Sequence, residues 1–266
     1  MFAGLAPQRR RLLLGVLAIV VAAALVGVFL AVRSSTPSAT PVSQDEPGPV
    51  LLVPGFGGST SGLNVLAQTL RGDGRDVTVL PLPGDGTGDL RVQAQALDEA
   101  VGAVIERSGA SSVDIVGYSA GGLVARLWVS ELGGDGMARR VVTLGAPHHG
   151  TTLAGLAEDV APGACPVACQ QLAPDSDLLR ELNAGDETPD GPAFVTIWTT
   201  LDETVTPPAS AQLEGALGIV VQSVCPDSRV THSGLVTDPL VAGIVAAQLR
   251  STPPVALSTQ DCARLS

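Results

Sequence analysis

From about residue 50 onward, the apolar positions of this chain fall into short, mostly apolar runs rather than into strict alternation. Val50–Val53, Val77–Leu80, Val113–Val116, Val141–Leu144, Phe194–Trp198 and Ile219–Ser223 are rich in β-branched residues. A strand covered on one face alternates apolar and polar residues, whereas one covered on both faces reads as a continuous run. Helical patterns lie between the runs, over Gly62–Leu70, Arg91–Arg107, Gly122–Leu132 and Thr237–Arg250. The first three are followed by Gly72, Gly109 and Gly133, the residue type that ends helices most readily. Strand–helix alternation of this kind predicts an α/β class, with a mostly parallel central sheet and helices on both faces. In such sheets ligands bind outside the carboxyl ends of the strands.

The first 49 residues follow neither pattern. Arg9-Arg10-Arg11 precede an uncharged stretch from Leu12 to Val32, which Arg33 ends. At 1.5 Å per residue this stretch is about 31 Å long as a helix, matching a bilayer core of roughly 30 Å. It predicts one N-terminal transmembrane helix, with residues 1–33 as cytoplasmic tip and anchor. The arginines place the start of the chain in the cytoplasm and everything after Arg33 outside it. The alternative is a secretory signal peptide and a released protein, but Phe29-Leu30-Ala31-Val32-Arg33 offers no good cleavage site. Residues 34–49 are rich in Ser, Thr and Pro without hydrophobic period and read as an extended linker. Residues 50–266 then form one domain, long enough for a sizeable core.

Charge narrows the partners. The net charge is -11, and the fifteen basic residues are all Arg and, apart from Arg9-Arg10-Arg11, form no basic run of three, so no nucleic acid is expected. Two Trp, one Tyr and four Phe are too few for a carbohydrate-stacking platform. The expected state is a monomer. Cys165, Cys169, Cys225 and Cys262 all follow the apolar stretch, consistent with two disulfides in an oxidising compartment. Cys165–Cys169 would close a tight loop around Pro166, and Cys225–Cys262 would tie down the C-terminal tail; their uneven spacing argues against a zinc site. No cofactor and no metal are expected.

The chemistry is concentrated in Val113-Asp114-Ile115-Val116-Gly117-Tyr118-Ser119-Ala120-Gly121-Gly122: a strand, a G-x-S-x-G and a helix start in succession. A sharp strand-to-helix turn holds such a serine in a strained conformation, and side chains at Gly117 and Gly121 would collide across it. The pattern resembles the nucleophile elbow of the α/β-hydrolase fold. Serine alone is a poor nucleophile and needs a base, which in turn needs an orienting acid. In this fold the order is Ser, then Asp or Glu, then His. Of the three histidines, His148 and His149 come too early, which leaves His232 as the base. They are expected at the rim of the site or in local hydrogen bonds. Asp202, four residues past the strand ending at Trp198, is the expected acid, with its neighbour Glu203 as the alternative. The backbone N–H of Ala120 is one oxyanion donor, and a second is expected in Pro54-Gly55-Phe56-Gly57-Gly58, after the first strand.

With these residues in place the chain resembles the bacterial class 2 lipases, triacylglycerol lipases of the α/β-hydrolase superfamily. The resemblance covers roughly Val50 to Leu235. It rests on Val53-Pro54-Gly55-Phe56-Gly57-Gly58, on Gly117–Gly122, on Leu144-Gly145-Ala146-Pro147-His148-His149-Gly150-Thr151, and on Asp202 with Val205 and Pro207 behind it. It implies an oxyanion hole from Phe56 and Ala120 and a Ser119–Asp202–His232 triad. The expected activity is hydrolysis of an acyl ester or lipid through an acyl-serine intermediate, at the cell membrane with the catalytic domain outside. An unprotonated imidazole is required, so activity is expected to rise through roughly pH 6–7. An acyltransferase or thioesterase with the same triad is the nearest alternative, and a non-catalytic, anchored binding protein is the alternative from another class. Residues 151–192 read either as a lid over the site or as a connecting segment.

Overall fold

The computed structural model describes residues 42–160, 162–250 and 252–266, together with Gly15, Leu17, Ala18, Val20–Ala22, Ala24 and Gly27. Those N-terminal positions are helical. The proposed membrane span from Leu12 to Val32 falls largely outside the described residues, among which no helix is long and apolar enough to cross a membrane. The chain divides into two units, Met1–Ser38 and Ala39–Ser266.

The second unit is built on six strands: β1 (Val50–Val53), β2 (Val77–Val79), β3 (Val113–Tyr118), β4 (Ala138–Leu144), β5 (Ala193–Trp198) and β6 (Leu217–Val220). They form one sheet in the order β2-β1-β3-β4-β5-β6, and every pairing is parallel. Its helices are α1 (Ser61–Gly72), α2 (Leu90–Ser108), α3 (Ala120–Glu131), α4 (Thr152–Val160), α5 (Val167–Gln171), α6 (Asp177–Leu182), α7 (Val221–Val224), α8 (Pro239–Gln248) and α9 (Cys262–Leu265).

The continuous apolar runs have a direct structural cause. Alternate strand residues feed two separate cores: Val50 and Leu52 join α1 and α8 on one face. Leu51 and Val53 join α2 and α3 on the other. Both faces of β1 are therefore buried, and no position along it favours a polar residue. Helix α2 starts at Asp89, whose side chain accepts from the Arg91 N–H, and stops at Gly109 in the left-handed conformation.

Two sequence expectations are corrected. The run Ile219–Ser223 is not one strand: β6 ends at Val220, and Val221–Val224 form the single-turn helix α7. Strand β4 begins at Ala138 rather than Val141, so Arg139 and Arg140 lie fully buried within it. Buried guanidinium groups require partners. Arg139 binds both oxygens of buried Asp114 at 2.9 and 2.6 Å, and Arg75 reaches the same carboxylate at 2.6 Å. Their remaining N–H groups hold carbonyls of Gln44, Gly48, Leu249 and Arg250, and Arg140 holds the Gln44 side chain and the Thr252 carbonyl. This charged cluster ties the end of the Ser/Thr/Pro-rich segment and the chain after α8 to the amino end of the sheet. That end is opposite the one where the motif loops lie.

Both disulfides are present as expected. Cys165–Cys169 closes a four-residue separation and Cys225–Cys262 one of 37. The second bridge ties α9 to the end of α7, and α9 also packs on α8, where Gly243 allows the Leu265 carbonyl to approach closer than any side chain would permit.

Candidate active site

Strand β3 runs into α3 through Ser119, the only non-glycine among the described residues with positive φ (53°, with ψ -126°). A non-glycine residue there is strained, and the surrounding contacts have to hold it. The Ser119 N–H donates to the Leu144 carbonyl at 2.8 Å, and its own carbonyl accepts from Gly122 at 2.9 Å. Glycines clear the space around it. A Cβ at Gly117 would lie 2.5 Å from the Gly121 carbonyl oxygen, and one at Gly55 would lie 2.9 Å from the Ser119 Cβ. A Cβ at Gly121 would run into the carbonyls of Val53 and Pro54, and one at Gly122 into Ala146 and Thr143. The turn can therefore press against β1 and β4, leaving the Ser119 side chain partly exposed above the carboxyl ends of the strands.

His232 follows β6 and α7 and precedes α8. Its Nε2 lies 3.1 Å from the Ser119 Oγ, and its Nδ1 lies 2.7 Å from Asp202 Oδ2. The carboxylate takes the Nδ1 proton as a hydrogen bond, which leaves Nε2 as acceptor for the serine hydroxyl. Asp202 is 5 % exposed. Its other oxygen accepts from the N–H groups of Thr204 at 2.9 Å and Val205 at 2.8 Å. With both oxygens engaged, the carboxylate has one orientation. The Tyr118 ring packs on the imidazole with centroids 5.1 Å apart, and its hydroxyl donates to the His232 carbonyl at 3.3 Å. Burial, with the Asp202 charge nearby, pushes the Tyr118 hydroxyl up to about 12, so it stays a donor at any working pH.

Ala120 opens α3, and its N–H is one of the first-turn donors that have no acceptor within the helix. In the loop after β1, the Gly57 N–H donates to Gly86 and the Gly58 N–H to Gly55. Phe56 between them has no backbone acceptor among the described residues, and the residue is 44 % exposed. Both expected oxyanion donors are thus unengaged near Ser119.

His148 and His149 diverge. His149 pairs at the surface with Glu187 at 2.8 Å. His148 is fully buried; its Nε2 meets Thr143 Oγ1 at 3.0 Å, and its Nδ1 has no partner among the described residues. Burial, then the charge of Arg126 and the neighbouring His149, hold its proton affinity well below the ordinary 6.5. Arg126 is itself buried, held by Asn183 and the Leu182 carbonyl.

The segment after β4 is partly integral to the domain: Ala168, Leu172, Leu178, Leu179 and Leu182 belong to the core on the α2–α3 face. Helix α4 differs, with Leu153, Leu156 and Val160 all exposed. A cleft of about 610 Å³ runs between α4, α5 and α6 beside Arg91, and none of Ser119, Asp202 and His232 lines it.

The parallel sheet, the elbow and the loops at its carboxyl end define an α/β-hydrolase. The family profile described as Lipase (class 2) matches residues 94–241, more than half of the chain. The chain belongs to the class 2 lipase family. Among solved structures it is similar to Aspergillus fumigatus lipase B, with a TM-score of 0.70 and 22% identity over 86% of this chain. That match spans 59% of the Aspergillus protein's length. Bacillus licheniformis lipase BlEst2 in its mature form matches with a TM-score of 0.63 and 18% identity, over 80% of this chain and 96% of that one. The lin2722 product of Listeria innocua gives 0.54 and 17%, over 74% and 91%. At these identities the likeness is one of fold.

Proposed function

We propose that the chain is a serine ester hydrolase with Ser119 as nucleophile, His232 as general base and acid, and Asp202 as the orienting carboxylate. The observation that carries this reading is the unbroken relay Ser119 Oγ–His232 Nε2 and His232 Nδ1–Asp202 Oδ2, at 3.1 and 2.7 Å. As Ser119 Oγ attacks the ester carbonyl carbon, its proton passes to His232 Nε2. Asp202 stabilises the resulting imidazolium without taking the proton. The carbonyl oxygen becomes an oxyanion facing the Phe56 and Ala120 N–H groups, whose dipoles are already oriented. Collapse of the tetrahedral adduct breaks the bond to the alcohol oxygen, which leaves with the proton from His232. Water then attacks the acyl-serine with His232 again as base, releasing the acid and free Ser119.

An acyl ester or lipid fits the surroundings better than a polar substrate. Phe56, Leu153, Leu156 and Leu201, from the oxyanion loop, α4 and the loop next to Asp202, are all exposed. We further place the domain outside the cytoplasm, anchored through residues 12–32. The two disulfides and Arg9–Arg11 ahead of the apolar run support this.

The test is turnover of p-nitrophenyl esters from short to long acyl chains by the wild type and Ser119→Ala. The variant should lose at least about 10⁴-fold in kcat with its fold intact. Near-normal turnover would end the proposal. Products formed in labelled water with and without alcohol acceptors separate a hydrolase from an acyltransferase.

A further inference from the structure

The motif Gly145-Ala146-Pro147-His148-His149-Gly150-Thr151 contributes no atom to the Ser119–His232–Asp202 relay, yet both of its ends bear on Asp202. At one end, a Cβ on Gly145 would lie 3.2 Å from Asp202 Oδ2 and 3.1 Å from His232 Nδ1, so glycine leaves room for the acid and base to meet. At the other end stands Thr151, which is 7 % exposed. Its hydroxyl donates to the Thr204 carbonyl at 2.7 Å and accepts from the Thr206 N–H at 3.1 Å. The next residue continues the clamp, with the Thr152 N–H donating to the Thr206 carbonyl at 2.9 Å. Thr151 is itself held in place, because its N–H donates to the Leu172 carbonyl at 2.9 Å.

The clamped stretch is the one that orients the acid. The N–H groups of Thr204 and Val205 both point at Asp202 Oδ1, and the Thr151 hydroxyl grips the carbonyl and the N–H on either side of Val205. We propose that Thr151 is a positioning residue for the catalytic acid: by fixing the 204–206 peptides it aims their N–H groups at Asp202, and so sets the direction in which Asp202 holds His232. This rests on the triad assignment proposed above.

The chemistry explains the residue type. The grip needs one group that donates and accepts at once, which a hydroxyl does and an alkyl group of the same shape does not. Thr151→Val keeps the volume but strips a carbonyl and an N–H of their partner, and the loop shifts to find others. Small displacements of a catalytic group cost rate rather than binding.

The experiment measures kcat and KM with p-nitrophenyl butyrate for the wild type, Thr151→Val, Thr151→Ser and Ser119→Ala. The far-downfield proton resonance of the His232 Nδ1–H is recorded for each. Thr151→Val should lose about ten- to a hundredfold in kcat with KM within about twofold, and its downfield resonance should shift or broaden. Thr151→Ser, which keeps the hydroxyl, should recover kcat to within about threefold of wild type and restore the resonance. A merely structural role would lower stability without this split between kcat and KM and without moving the resonance. Should Thr151→Val fail to fold, Thr151→Cys, with its weak donor and acceptor, is read in its place with the same expected split. An unchanged kcat in Thr151→Val or Thr151→Cys overturns the proposal, as does Thr151→Ser behaving like the valine variant. If Ser119→Ala is inactive while Thr151→Val is normal, the positioning role alone falls. If Ser119→Ala keeps its turnover, the triad reading falls and takes this one with it.

Discussion

His148 makes the stability of the domain depend on pH in a way that a single substitution isolates. The imidazole is fully buried, has one side-chain partner in Thr143, and lies near the buried guanidinium of Arg126. Burial opposes its protonation first, and the Arg126 charge adds to the effect. In the unfolded chain the same ring takes up a proton near 6.5. Below that value the unfolded state therefore binds more protons than the folded state, so stability is complete above about pH 6.5 and is lost as pH falls below it. The slope for one such group approaches about 1.4 kcal/mol per pH unit. His148→Gln keeps a polar contact for Thr143 and removes the titration. At pH 7 it should be less stable than wild type by about 2 kcal/mol, through lost packing. By pH 5 the gap should have almost closed, because wild type alone carries the cost of holding this ring neutral. Urea unfolding followed by circular dichroism at pH 7, 6 and 5 gives the three differences. A constant offset at all three values would show that His148 takes up its proton in the folded state as it does in the unfolded chain, and would refute the reasoning.

Other variants probe separate parts of the structure. Asp114→Asn leaves Arg139 and Arg75 facing a neutral amide at the buried end of the sheet and should cost about 3–5 kcal/mol in urea unfolding; a loss under about 1 kcal/mol would mean that water reaches the cluster. Replacing both cysteines of the Cys225–Cys262 pair by serine should cost about 4 kcal/mol, against about 2 for the Cys165–Cys169 pair, following their separations of 37 and 4 residues. The reverse order would contradict the loop-closure account. Asp202→Asn preserves the carboxylate's shape but spoils the histidine tautomer, and kcat should fall by about 10⁴ while the unfolding midpoint stays close to wild type. Retained turnover would remove Asp202 from the mechanism.

The strands and the serine turn are readable in the sequence because burial on both faces and a strained turn each permit few residue types. The long-range features are not. Arg139 and Arg140 hide the first half of β4, since charges argue against a buried strand until Asp114, Gln44 and the carbonyls after α8 are known to be there. Asp114 itself reads as an ordinary strand residue. The last apolar run is equally ambiguous: Ile219-Val220-Val221 is apolar and β-branched throughout, and nothing in it marks where β6 gives way to α7. The expectation that His148 makes a local hydrogen bond matches its contact with Thr143, but its complete burial is not local: Asn183, which donates to the His148 carbonyl, lies 35 residues away. Thr151 stands in a motif that gives no sign of its role. Its partners lie 53 and 55 residues away, and no local pattern points to them.

The central claim, that Ser119 is an activated nucleophile, is tested most directly by peptide mapping of the folded protein after a brief exposure to a fluorophosphonate. The account predicts one stoichiometric adduct, on the peptide carrying Ser119, and its disappearance in His232→Ala over the same exposure. Folded protein that stays unlabelled, or carries the adduct on another serine, would contradict it.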